Sequence, residues 1–294
     1  MSEKILNGYT LIHEHATIDL SGLKNDQDAC INDIEATTKE WQKLYEYGVR
    51  NVLDVTNIGM GRSVKYIQKL EAQTGINIIM STGYYKDPFY PEEVFTKSVS
   101  ELADIMISDC LSGIDNTLVK AQCIGEIGTS NNTMTALEKK VFDASIIAAK
   151  KCNVIIATHT TLGTYALEQA KYLINAGISP QKILIGHMDL AGDIEYIKSV
   201  LDTGVFIAFD TIGKNKYFPD EKRADFLIEL ERAGYLKQVM LSLDITRKSH
   251  YKSNGGIGYS HLFEIFLPML RAKGLNEEAI NQMLIANPQR LLHR

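Results

Sequence analysis

Eight short apolar runs, rich in β-branched residues, recur along the chain: YTLIHEH (9–15), NVLDVT (51–56), INIIMSTG (76–83), AQCIGEIG (121–128), NVIIATH (153–159), ILIGH (183–187), VFIAFD (205–210) and VMLSLD (239–244). Runs of this length, bounded by polar turns, predict buried strands. Between them lie segments with apolar residues at i, i+3 and i+4, such as TALEKKVFDASIIAAKK (135–151) and TYALEQAKYLINAG (164–177), and several end in glycine as helices tend to. Strands alternating with helices imply parallel pairing through right-handed crossovers. With no Pro- or Gly-rich linker, short repeat or low-complexity tract, the pattern predicts an α/β fold: a single (β/α)8 TIM barrel over residues 1–294. An open doubly wound sheet is the structural alternative.

Composition changes this picture little. The 294 residues, 45% hydrophobic and 23% charged, describe an ordinary globular chain, and barrels of about 250 residues commonly form one domain. A net charge of −5 argues against a general affinity for nucleic acid or an anionic membrane, either of which needs a broad basic surface. No run is apolar for long enough to span a bilayer, and MSEKILNGYT lacks the apolar core of a signal peptide, so the expected location is cytoplasmic. Cys30, Cys110, Cys123 and Cys152 form no C-x-x-C pair and read as small buried hydrophobes.

What ends the apolar runs matters more. The first ends in His13 and His15, the fourth carries Glu126, the fifth ends in His159, the sixth in His187 and the eighth in Asp244. In an extended strand His13 and His15 point one way and Glu14 the other, so Glu14 is not expected to be a ligand. A lone histidine at a strand end is ordinarily a hydrogen-bonded core residue. Four histidines and two carboxylates at strand ends of one polarity instead converge on the face where barrel enzymes keep their active sites. Six N and O ligands are too many for one tetrahedral zinc and suit two divalent ions sharing a bridging carboxylate, with zinc the first choice for so many imidazoles. Asp54, Asp189 and Asp210 sit at or just after strand ends, as supports for the ligands or as loop caps. His250, His261 and His293 end no apolar run.

At these residues a family resemblance enters. HEH at 13–15, THT around His159, GHMD around His187 and LD at 243–244 resemble the amidohydrolase superfamily. STGYYKDPFYPE (81–92), IGEIGTS (124–130), DTIGKNKYFPDEKR (210–223), LSLDITRKSH (241–250) and ANPQRLL (286–292) resemble its phosphotriesterase family, in particular the bacterial phosphotriesterase homology proteins. The resemblance implies that His13, His15 and Asp244 hold the more buried metal, that His159 and His187 hold the more exposed one, and that Glu126 bridges them together with a hydroxide. Members of the family that act on organophosphate triesters use a carboxylated lysine as the bridge. Here Glu126 occupies that neighbourhood and Lys120 lies at the strand's opposite end, which puts triester activity in doubt.

The expected enzyme is therefore a metal-dependent hydrolase whose metal-bridging hydroxide attacks an ester, with Asp244 as the catalytic general base. A lactone, in particular a phosphorylated sugar lactone, is the first candidate substrate; phosphoric ester hydrolysis on the same centre is the alternative, and a non-catalytic ligand-binding barrel is a remote third. For substrate binding, ITRKSHYKSNGGIGYS (245–260) offers Arg247, Lys248, Lys252 and Tyr259, with Lys214, Lys216 and Arg223 adding charge after the seventh strand. Guanidinium and ammonium groups beside glycine-exposed amides suit an anion, and Tyr84 and Tyr85 would line the pocket. The expected partners are a small, anionic ester or lactone and, following the relatives, a second copy in a homodimer, with no nucleic acid and no membrane.

Overall fold

A computed structural model describes residues 5–292; residues 1–4 and 293–294, His293 among them, lie outside the described part. The eight predicted runs each form a strand: β1 (Tyr9–Glu14), β2 (Val49–Asp54), β3 (Asn77–Thr82), β4 (Cys123–Thr129), β5 (Ile155–Thr160), β6 (Ile183–Ile185), β7 (Phe206–Phe209) and β8 (Val239–Leu241). They stand in chain order in one eight-stranded sheet whose pairs are parallel. The sheet curls into a nearly closed barrel, so the doubly wound alternative is set aside.

The main helices between strands are α1 (Ile34–Glu46), α2 (Val64–Thr74), α3 (Val99–Leu111), α4 (Ala136–Cys152), α5 (Ala166–Asn175), α6 (Ile194–Leu201) and α7 (Asp220–Arg232). Local chemistry sets their starts. Thr135 and Glu138 form a reciprocal capping box that opens α4, and Ser98 with Glu101 does the same for α3. After β8 the chain forms a π-helical segment, Leu262–Phe266, and then α8 (Leu267–Ala272).

Two apolar layers follow from the period of the strands. Ile12, Leu53, Ile79, Ile155, Leu184, Phe206 and Met240 belong to one buried cluster that fills the barrel's interior, while their neighbours Leu11, Val52, Ile78, Ile156, Ile185, Ile207 and Leu241 join the layer beneath the helices. All four cysteines are free, and three are buried. Among the described residues, no helix is long and apolar enough to cross a membrane.

Candidate metal centre

Strict alternation from interior-facing Ile12 would turn His13 outward. The β1–β2 register instead jumps from Leu11 opposite Val52 to Glu14 opposite Asp54, so β1 carries an extra residue that re-aims His13 and His15 at the centre. A second irregularity lies between Ile124 and Ile127 on β4 and brings Glu126 inward. Gly125 makes this possible: a Cβ there would fall 2.3 Å from the Ala157 carbonyl oxygen. His187 and Asp244 lie beyond the strands that the sequence had them ending, because the β6 and β8 ladders stop at Ile185 and Leu241. Both adopt left-handed backbone, at φ 59° and 53°, a conformation that costs a non-glycine residue and tends to mark functional positions.

The six residues meet in one buried cluster. His15 Nε2 lies 3.3 Å from Glu126 Oε1 and 3.3 Å from Asp244 Oδ1, and His13 Nε2 lies 3.5 Å from Glu126 Oε2 and 3.7 Å from Asp244 Oδ1. On the other side His159 Nδ1 lies 3.1 Å and His187 Nε2 3.6 Å from Glu126 Oε2, with the two nitrogens 2.8 Å apart. Neither His13 Nε2 nor His15 Nε2 makes a hydrogen bond, although both are buried. Ligands at about 2.1 Å around a tetrahedral ion stand roughly 3.4 Å apart, so these spacings fit donor atoms that share a cation. His13, His15 and Glu126 form one candidate metal group and Glu126, His159 and His187 another, with Glu126 common to both.

Outer contacts decide which nitrogens face inward. The Asp210 carboxylate accepts from His187 Nδ1 at 2.8 Å and lies 3.0 Å from His13 Nδ1 without a hydrogen bond between them, so both rings turn their Nε2 atoms to the centre. His15 Nδ1 lies 2.8 Å from the Thr56 hydroxyl, which itself donates to the Thr17 carbonyl and must therefore accept from the imidazole. Asp210 thus lies against two of the six clustered residues, and with His13 and His187 it forms a third candidate metal group. Asp54 caps the amides of Thr56 and Ala16, and Asp189 pairs with Arg223.

Charge follows this layout. Burial disfavours protonated His13, yet Asp210 and Glu126 outweigh it and hold that imidazole well above its ordinary range. Burial likewise opposes, and carboxylate neighbours overcome, in His15 (about 9) and His187 (about 10). His159 is pushed down to about 4 by burial and by His187. Burial raises Asp244, but the Lys214 ammonium and the imidazoles win and hold it far below the carboxylate range.

The cluster floors a cleft of about 230 Å³. Lys214 reaches Asp244 Oδ2, and Lys24, Lys86 and Arg247 complete a cationic wall beside His250, which burial and Lys214 push down to about 4 and so keep neutral, while Ile18, Met60 and Leu162 give an apolar one. Tyr85 lines the cleft, its hydroxyl 3.4 Å from His159 Nδ1. The other expected substrate contacts are corrected. Tyr84 is buried outside the cleft, and Tyr259 is buried with its hydroxyl donating to the His15 carbonyl at 2.7 Å. Lys252 turns away to pair with Glu264, and Lys248 does not line the cleft. Arg223 is fully buried between Asp189 and Asp220, so it adds no charge for a ligand. Lys24 and Lys86 were missed because Lys24 ends a single helical turn, Ser21–Lys24, and Lys86 lies on a loop after β3, neither long enough for a periodicity to show.

Imidazoles and carboxylates gathered at the carboxyl ends of barrel strands define a class, the barrel hydrolases built around a metal centre. The chain belongs to the phosphotriesterase family, whose pattern matches residues 3–292, and is a hydrolase acting on esters. It is 45% identical over 281 residues to the phosphotriesterase homology protein of Escherichia coli, covering 96% of each chain. A crystal structure of that protein complexed with phosphate in its active site superposes with a TM-score of 0.97 at 44% identity, covering 99% of this chain and 100% of that one. The chain is also 33% identical to an aryldialkylphosphatase of Saccharolobus solfataricus, over 96% of this chain and 94% of that one. It is 31% identical to a phospho-furanose lactonase of Mycoplasmopsis agalactiae, over 98% of this chain and 84% of that one.

Proposed function

We propose that this protein is a zinc-dependent lactonase that opens a lactone carrying an anionic group, with a phosphorylated sugar lactone as the leading substrate. The observation that carries this reading is the juxtaposition, across one small cleft, of the six-residue cluster with Lys24, Lys214 and Arg247. Three cations facing a buried centre suit a substrate with a negative group at one end and a scissile bond at the other.

His13, His15 and Asp244 would hold one metal, His159 and His187 the other, and Glu126 would be shared between them. Two such ions would activate water and polarise the substrate's carbonyl oxygen. The protein's own groups do the rest. Asp244 accepts the proton released by attacking water and passes it to the leaving alkoxide, a carboxylate's role as general base and then acid. Lys214 keeps that carboxylate ionised between turnovers and faces the substrate's anionic end. Asp210 holds the His187 imidazole and Thr56 that of His15 in one tautomer, so neither ring must reorient during reaction. The apolar wall of Ile18, Met60 and Leu162 limits water around the bound ring.

A second reading, phosphoric ester hydrolysis on the same centre, is favoured by the likeness to the Saccharolobus solfataricus aryldialkylphosphatase. Turnover on sugar lactones with and without a terminal phosphate, beside phosphodiesters and phosphotriesters, separates the two. The expected result is fastest opening of the phosphorylated lactones. Clear phosphoester cleavage with no lactone turnover would reverse the ranking.

A further inference from the structure

The seam between β8 and β1 is closed by side chains. Backbone ladders join β1 to β2 and onward to β8, and among the described residues none joins β8 back to β1. One carboxylate spans that gap: Glu14 Oε1 accepts from Ser242 Oγ at 2.8 Å and from the Leu243 amide at 2.8 Å, and Oε2 accepts from the Ile245 amide at 3.1 Å. Ser242 Oγ in turn accepts from the His13 amide at 3.2 Å.

The two amides that Glu14 binds flank Asp244, whose backbone is left-handed and whose carboxylate faces His13, His15 and Lys214. Glu14 is fully buried, and no cation is paired with it among the described residues. Burying a carboxylate without a counter-charge is unfavourable, so stability alone is a poor reason for it. Three donors converge here, and only an acceptor-only group with two oxygens satisfies all of them.

We propose that Glu14 is a positioning residue: by clamping the amides on both sides of Asp244 it sets the direction of the Asp244 carboxylate at the metal centre. This rests on the reading of Asp244 as ligand and proton acceptor. In Glu14→Gln the side-chain NH2 would face one of the donors, so the loop holding Asp244 relaxes while the imidazoles stay in place.

The test loads metal-free wild type, Glu14→Gln and Asn287→Ala with Co2+ alone, compares their visible spectra, and then measures kcat and KM on the best ester of the panel above. Asn287 bonds the Leu236 and Val239 carbonyls at the opposite end of β8, so its loss weakens the same strand without touching Asp244. In Glu14→Gln the expected result is retained Co2+ uptake, an altered Co2+ spectrum, and kcat lower by about 10- to 100-fold with KM nearly unchanged, as for loss of a group needed in the transition state. In Asn287→Ala the melting temperature falls while the spectrum and kcat stay at wild type. If Glu14→Gln does not fold, Ser242→Ala, which removes one of the three donors, should shift both readouts in the same direction by a smaller amount. Unchanged spectrum and kcat in Glu14→Gln, or equal shifts in Asn287→Ala, would overturn the proposal. Wild type that binds Co2+ but hydrolyses nothing in the panel would defeat the substrate reading, and the spectra would still decide the role of Glu14.

Discussion

Glu126 touches both sides of the cluster, Oε1 facing His15 and Oε2 facing His13, His159 and His187. Removing a ligand on either side should therefore cost more than that ligand's own metal. His13→Ala or His15→Ala should lower bound zinc from about two ions per chain to one or fewer and reduce kcat by at least about 1000-fold. Elemental analysis alongside turnover checks both. On the cationic wall, Arg247→Met should raise KM for a phosphorylated substrate roughly 10- to 100-fold, the worth of a hydrogen bond to a charged group, and leave an uncharged lactone nearly unaffected. Arg247 already leans on Asp26 and Asp28, so a smaller rise would mean those partners compete for it. The six clustered residues were legible because five of them close apolar runs and Glu126 lies inside one, where a histidine or carboxylate stands out against β-branched neighbours. The aromatic residues were not. Tyr84 and Tyr85 are adjacent and alike in sequence, yet the turn just beyond β3 sends one into the cleft and buries the other elsewhere.

Among the elements, the loop from β7 into α7 depends most on buried charge. Arg223 donates to Asp189 at 2.6 Å, Asp220 at 2.9 Å and the Thr211 hydroxyl at 2.7 Å, while His261 lies 2.9 Å from Asp220. Arg223→Met would leave two carboxylates buried without their partner and should destabilise the fold by about 3–5 kcal/mol in urea denaturation. The same cluster gives a pH dependence. Burial raises the Asp220 carboxyl, but His261, the Gly213 amide and Arg223 outweigh it and lower it below its ordinary value. Its stabilisation is then complete above the unfolded value of about 4 and is lost as pH falls through the lower folded one. Asp220→Asn should flatten the acid side of a stability–pH curve, and a curve as steep as that of wild type would place the acid loss elsewhere. The strands were legible because both their faces are buried, which leaves near-continuous Val, Ile and Leu. The bulges at His13 and Glu126, the early ends of β6 and β8 and the π-helical Leu262–Phe266 were not, since each depends on contacts across the sheet or on packing between helices.

For the whole molecule, the barrel gathers the six candidate ligands from five of its eight strands and the turns just beyond them, so metal binding there would couple to global stability. A ligand that binds only the folded state, at a thousand times its dissociation constant, adds about 4 kcal/mol. Zinc should therefore raise the melting temperature of the metal-free protein by several degrees. The barrel class was legible from eight alternating units, while the seam closed through Glu14 was not, because a side chain there replaces the backbone ladder that sequence pattern anticipates. The most direct test of the binuclear account is titration of the metal-free protein with Zn2+ while following ester or lactone turnover. Activity should rise from near zero and level off at about two equivalents per chain. A plateau at one equivalent, or turnover by protein that holds no metal, would contradict it.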